Sequence, residues 1–196
     1  MAVSLEKGQT VSLTKENPLL KRIHIGLGWD PAEEQGVEFD VDVSLFMLNS
    51  TGQVRMDCDM IYYNNLEAIC HSIVHTGDNR TGEGDGDDEV ILCDLSNLEE
   101  SVRTLAIVVT IHDAVARRQN FGQVDNIYIR IVDQDTEQEL QRYDLREEFS
   151  TETAIHVADV YRLETGEWKF RAVGRAYRAG LGMFAEKYGV EVAERA

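Results

Sequence analysis

Residues 75–89 read HTGDNRTGEGDGDDE, where Asp78, Glu83, Asp85, Asp87, Asp88 and Glu89 are opposed by Arg80 and interleaved with Gly77, Gly82, Gly84 and Gly86. Carboxylates this close repel one another, and glycine raises the entropic cost of ordering the chain. A hard cation offsets both costs. Calcium takes about six to eight oxygen ligands from carboxylates, amide side chains and backbone carbonyls. Asp78, Asn79, Asp85, Asp87, Asp88 and Glu89 offer such oxygens, and the glycines let carbonyls turn inward. The chemistry implied is cation binding on a loop.

Two known calcium patterns do not fit. An EF-hand read from Asp85 accepts Asp87, but Glu89 and Val90 stand where the motif needs Asp or Asn and then Gly. The nonapeptide calcium repeat fits 83–91 except at Glu83, and there is no second copy for it to stack on. A loop-borne site at one end of a fold remains. Other acids are placed to join it: Asp40 and Asp42 in VEFDVDVSLF, Asp57 and Asp59 in MDCDM, and Asp30 in GLGWDP. Spacing by two puts each pair on the wet face of a strand. Where those strands end near the loop, the pairs add ligands for a second ion. Alternation alone equally predicts a plain solvent face.

The elements that must position these groups are mostly strands. In VEFDVDVSLF, Val37, Phe39, Val41, Val43 and Leu45 alternate with Glu38, Asp40, Asp42 and Ser44, the pattern of a strand with one face in a core. NIYIRIVD repeats it with Ile127, Ile129 and Ile131. TLAIVVTIH (104–112) is continuously apolar and β-branched, a strand buried on both faces. Segments 89–95, 154–163 and 166–174 read as further strands, the last with Trp168, Phe170 and Ala172 inward. Residues 113–120 form a short helix capped by Asp113, and 175–189 a terminal helix ending at Gly189. Short strands, glycine turns and little helix predict an all-β, single-domain β-sandwich over 1–196, with calcium-binding loops at one end.

Composition narrows the function. The 196 residues are 43% apolar with two prolines, a globular balance. A net charge of −17 argues against nucleic-acid binding, and against anionic lipid unless a cation neutralises the face involved. No apolar run approaches the roughly 20 residues of a membrane helix. The N-terminus lacks a signal pattern, so the chain reads as cytoplasmic. Cys58, Cys70 and Cys93 read as buried small hydrophobes, with the alternation in MDCDM turning Cys58 inward. Cys70, His71 and His75 are neighbours, but without a second ligand pair they make a weak zinc pattern. His71, His75 and His112 are the available general bases.

GLGWD, FDVDVSLFML, HTGDNRTGEGDGDDE, RYDL, GEWKFRAVG and GLGMFAEKYGV, with the opening VSLEKGQTVSLTK, together resemble the TerD family of bacterial tellurium-resistance and stress-response proteins across the whole chain. The resemblance implies a cytoplasmic calcium-binding β-sandwich holding two calcium ions. Its acidic segments correspond here to Asp78, Asn79, Asp85, Asp87, Asp88 and Glu89, with Asp30, Asp40, Asp42, Asp57 and Asp59 as lesser candidates. It also implies a part in resistance to tellurite, phage and colicins, alongside a TerC-like partner at the membrane.

Three functions follow as expectations. The first is a non-catalytic calcium-dependent sensor or adaptor, whose neutralised face meets a protein partner. The second is a metal-dependent phosphate-ester hydrolase on the same acids, with a histidine as base. The third is a thiol-based tellurite binder or reductase, which buried cysteines serve poorly. The first accounts for the most residues.

Overall fold

The computed structural model describes residues 3–4, 7–31, 38–145 and 149–191 and forms two sheets. One antiparallel sheet contains β2 (Thr10–Ser12), β12 (Trp168–Tyr177), β11 (Ala154–Arg162), β8 (Thr104–Ile111), β4 (Val41–Leu48) and β5 (Met60–Ile61), in that spatial order. The other has the order β1 (Val3–Ser4), β10 (Gln138–Asp144), β9 (Tyr128–Asp133), β3 (Arg22–Gly28), β7 (Glu89–Asp94) and β6 (Ile73–His75). In this second sheet only the β1–β10 pair is parallel. The sheets face each other across one core. Val41, Val43 and Leu45 from β4 meet Ile23, Ile25 and Leu27 from β3, with Ile129, Ile131, Val160 and Phe170 in the same cluster. The all-β sandwich expected from the sequence is the fold observed.

The sequence places the strand at 37–45 with one wet face, and here the structure differs. Val37 lies outside the described residues. From Val41 to Leu48 every residue is buried. The face opposite the main core is covered by α2 (Leu181–Tyr188), whose Phe184, Ala185 and Tyr188 pack with Phe46, Leu48, Ala106 and Val108 in a second core. Along β4 that face is therefore not wet: Ser44 (0% exposed) pairs with Val108 of this second core, and Asp40 (3%) and Asp42 (4%) are buried toward the start of the strand, with Arg80, Arg117 and His112 close to them.

Other boundaries shift for physical reasons. The terminal helix starts at Leu181 rather than Arg175, because Arg175, Ala176 and Tyr177 pair with β11 as the end of β12. It ends as expected at Gly189, in the left-handed conformation at φ 83°. The helix at 113–120 is only α1 (Ala114–Arg117), and Asp113 sits at its start with φ 49° and no capping hydrogen bond from its side chain. MDCDM is not a strand: Asp57–Asp59 form a 3-10 turn, and Cys58 is half-buried rather than inward. No helix among the described residues is long and apolar enough to cross a membrane.

Candidate metal centre

β6 and β7 are antiparallel neighbours, and the acidic loop joins them. Its residues take divergent courses. Glu89, first residue of β7, turns inward with its side chain fully buried. Its Oε2 accepts from Val43 N–H at 2.7 Å and its Oε1 from Asn79 N–H at 3.3 Å. β5 covers β4 only at Leu45 and Phe46, so the first half of β4 exposes an edge that Glu89 caps. His75, also buried, accepts at Nδ1 from Gly77 N–H (3.2 Å), which leaves the proton of neutral His75 on Nε2. That Nε2 lies 3.6 Å from Glu89 Oε2 with no partner at hydrogen-bond distance.

Asn79 organises the loop. Its Oδ1 accepts from Thr81 N–H and Gly82 N–H, both at 3.1 Å, and its Nδ2 donates to Asp88 Oδ1 at 3.1 Å. Asp88 Oδ2 accepts from Trp29 N–H at 2.9 Å. Gly82, at φ 72°, lies against the Trp29 indole, where any Cβ would come within 2.5 Å of Nε1.

Asp87 leaves the loop altogether. Its carboxylate lies across Gly26 of β3, a position where a Cβ would sit 2.1 Å from Oδ2. There it accepts from His24 Nε2 (2.7 Å), Tyr128 Oη (3.0 Å) and Arg130 Nε (2.8 Å). Burial pushes its pKa up, but the hydrogen bonds from His24 and Arg130 outweigh burial and hold it below the ordinary value. Its lone pairs are committed to protein donors.

Among the described residues, Asp40, Asp42 and Asp78 form the group whose carboxylate oxygens come together, all within 4.8 Å of one another. Asp40 and Asp42 are buried at the start of β4, and Asp78 reaches them from the exposed loop. Arg117 approaches Asp40 at 3.5 Å, and Arg80 stands 3.8 Å from both Asp40 and Asp78. His112 Nδ1 lies 4.0 Å from Asp42. These cations do not balance the site. Burial, then the charges of Glu89, Asp40 and Asp78, push the Asp42 carboxyl up to about 8. Burial also raises Asp40, Asp88 and Glu89. All the donors are oxygens, the set that hard cations prefer.

The other sequence candidates stand outside this three-aspartate group, although Asp30 is near enough to Asp88 that, after burial, its charge helps raise that carboxyl. Asp85 is exposed. Asp30 accepts from Asn126 Nδ2. Asp59 is buried and gripped by Arg55, whose Nε donates at 2.8 Å, and Asp57 accepts from Glu191 N–H at 3.0 Å. The two therefore do not share a strand face, and neither joins the three-aspartate group. Cys70 lies 2.8 Å from Ser72 Oγ, and burial raises the Cys93 thiol well above its usual range. Sequence reasoning found Arg80 as a counter-charge but missed Arg117, and it missed His24, Tyr128 and Arg130 as the seat of Asp87. The glycine at 26 inside an otherwise regular strand was the available signal.

The raised carboxyls give the cation-free protein a defined pH dependence. Asp42 takes up a proton on folding anywhere between its ordinary value of 3.8 and about 8. The stability linked to it is fully present below the unfolded value and is lost as pH rises through the folded one. Chelator-treated protein is therefore expected to show a falling thermal midpoint between pH 5 and pH 8, and saturating calcium to flatten that slope. Calorimetric melts across the range check this; a midpoint that rises with pH in chelator contradicts it.

A family model described as the TerD domain matches residues 1–188. The chain is 52% identical to tellurium resistance protein TerD of Serratia marcescens over 190 residues, spanning 97% of this chain and 98% of that protein. It is 49% identical to general stress protein 16U of Bacillus subtilis (strain 168) over 193 residues, spanning 98% and 100%. The crystal structure of a homologue of telluride resistance protein (TerD) from Streptomyces coelicolor A3(2) superposes with a TM-score of 0.72, covering 85% of this chain and 95% of that one. At 22% identity that likeness concerns the fold.

Proposed function

The chain belongs to the TerD family of tellurium-resistance and stress-response proteins, and from that premise we propose that it is a calcium-dependent sensor or adaptor without catalytic activity. The observation that carries the reading is Asp42: a buried carboxyl, crowded by Asp40 and Asp78, with too little positive charge around it. Those three side chains would hold the ion, and the ion would supply the charge that the arginines leave short. The family resemblance suggests about two ions. Glu89 and Asn79 act as struts, tying the loop to the β4 edge and to Asp88. Asp87 is part of the scaffold. Asp78 is the group that couples ion to loop, because it alone of the three sits on the acidic segment.

On this reading calcium tightens residues 77–89 against β4 and removes negative charge from one face. That face then meets a protein partner, for which the resemblance suggests a TerC-like membrane protein, with this chain on the cytoplasmic side. Hydrogen exchange tests the coupling. Amides of the 77–89 loop should exchange at least tenfold more slowly with calcium than with chelator, about 1.4 kcal/mol of added local protection. Equal rates in the two conditions would remove the sensor role.

The hydrolase reading has one observation in its favour. His112 and Asp42 both line a pocket of ≈ 810 Å³ between Tyr63, α1 and the start of α2. Phosphatase activity with magnesium or manganese, absent with calcium, would favour it. The thiol reading has little support in the burial of Cys93 or the hydrogen bonding of Cys70.

A further inference from the structure

The chain carries a net charge of −17, yet at one place its cations converge without acids to match. Arg171, Arg175 and Lys187 line a pocket of ≈ 440 Å³ between β12, β11 and the end of α2. The carboxylate on its wall is Asp159, which is 3% exposed and already shared by Arg171 Nη2 and His156 Nε2. Among the described residues no carboxylate pairs with Arg175 or Lys187. The two lie close enough that burial and then the charge of Arg175 lower the Lys187 pKa.

The wall is built rather than incidental. Residues three apart on a regular strand point to opposite faces. β11 shifts register between His156 and Ala158 against both of its neighbours, so the strand carries a bulge. Val157 and Ala158 therefore both face the main core, while His156 and Asp159 share the outer face. His156 Nε2–H donates to Asp159 Oδ1 at 2.7 Å, which leaves Nδ1 to accept from Tyr188 O–H at 3.3 Å. Lys187 Nζ donates to Tyr188 Oη at 3.4 Å. The relay from Arg171 to Lys187 is satisfied within the protein. The positive charge left over belongs to Arg175 and Lys187, at the mouth.

We propose that this pocket binds a small phosphate-type oxyanion, free or carried by a small organic ester. Guanidinium and ammonium groups converging on a concave site are the usual means of holding such anions. The volume falls within the range of small-molecule sites. The overall negative charge does not prevent this. At an ionic strength of about 0.15 M charges beyond roughly 8 Å are screened, whereas groups in the pocket are not. Nor does the site depend on the calcium reading. Asp42 pairs with Thr110 near one end of β8, and this pocket lies toward Thr104 at the other.

The test is an NMR titration of the full chain with inorganic phosphate and, separately, adenosine monophosphate, at about 0.15 M ionic strength. Saturable shifts are expected at Arg175, Lys187 and His156. Arg175→Gln combined with Lys187→Gln should weaken binding at least tenfold; both residues are exposed, and an unchanged thermal midpoint checks that losing the Lys187 contacts with Tyr177, Phe184 and Tyr188 leaves the fold intact. Lys15→Gln with Lys21→Gln removes the same charge from exposed residues that do not line the pocket and should leave affinity within about twofold, since exposed charges outside the site are screened. Tighter binding of the nucleotide identifies an organic phosphate as the ligand class, and equal binding identifies the free anion. No saturable shift with either probe up to about 10 mM, the weak end for a specific site, overturns the proposal. So does an equal loss in the lysine control.

Discussion

Asn in place of Asp42 is expected to stabilise the chelator-treated protein and to weaken calcium binding roughly a hundredfold, a loss in keeping with affinity set by ligand charge. Opposite signs for the two effects are the signature of a carboxylate kept for a ligand rather than for the fold. Without a cation, folding at neutral pH forces Asp42 to take up a proton or to stay charged beside Asp40, Asp78 and Glu89. Either route costs stability. Asparagine has nearly the same shape and no charge, so that cost disappears and the thermal midpoint rises by several degrees. Asparagine is also a poorer calcium ligand, because affinity follows ligand charge. Thermal unfolding in chelator and calorimetric titration give the two halves. A variant that melts lower in chelator and binds calcium as tightly as the parent would show that Asp42 serves packing instead.

Asp87→Ala should behave in the opposite way. It is expected to cost about 3 kcal/mol, at the low end for breaking a buried charged pair, because Arg130 and His24 keep 28% and 25% of their side chains exposed. For a chain of this size that lowers the melting midpoint by roughly 6–12 °C. The loss should be the same with and without calcium, and calcium affinity should change by less than about threefold, under the 1.4 kcal/mol that a tenfold change represents. The cause is geometric. The carboxylate sits over Gly26 and takes hydrogen bonds from two strands, so it fastens the end of the acidic loop to the outer face of the second sheet. A variant that keeps its midpoint but loses calcium would move Asp87 into the ion site.

Most of the fold was legible because strand periodicity is a local signal. Ile127, Ile129 and Ile131, and Trp168 with Phe170, point where alternation puts them, and the continuous apolar run at 104–111 is buried on both faces. Failures came where one element covers another. Nothing local to FDVDVSLF says that α2, more than 130 residues later, packs on Phe46 and Leu48, or that Asp42 and Ser44 are buried. The acidic loop could be found by composition, but its division of labour could not. Asp78, Asp87, Asp88 and Glu89 are near neighbours in sequence and end in four environments, set by Arg80, Gly26, Trp29 and Val43. MDCDM imitated a strand over five residues, too short a window for period two to exclude a 3-10 turn.

The most direct test of the central claim is a calorimetric calcium titration of chelator-stripped protein in excess magnesium. Saturable binding of about two ions is expected, with dissociation constants of roughly 10⁻⁷–10⁻⁵ M, the range of calcium sensors, and the tighter step lost in Asp42→Asn. Absence of heat, or calcium binding abolished by magnesium, would contradict it and leave the buried aspartates to another metal or to none.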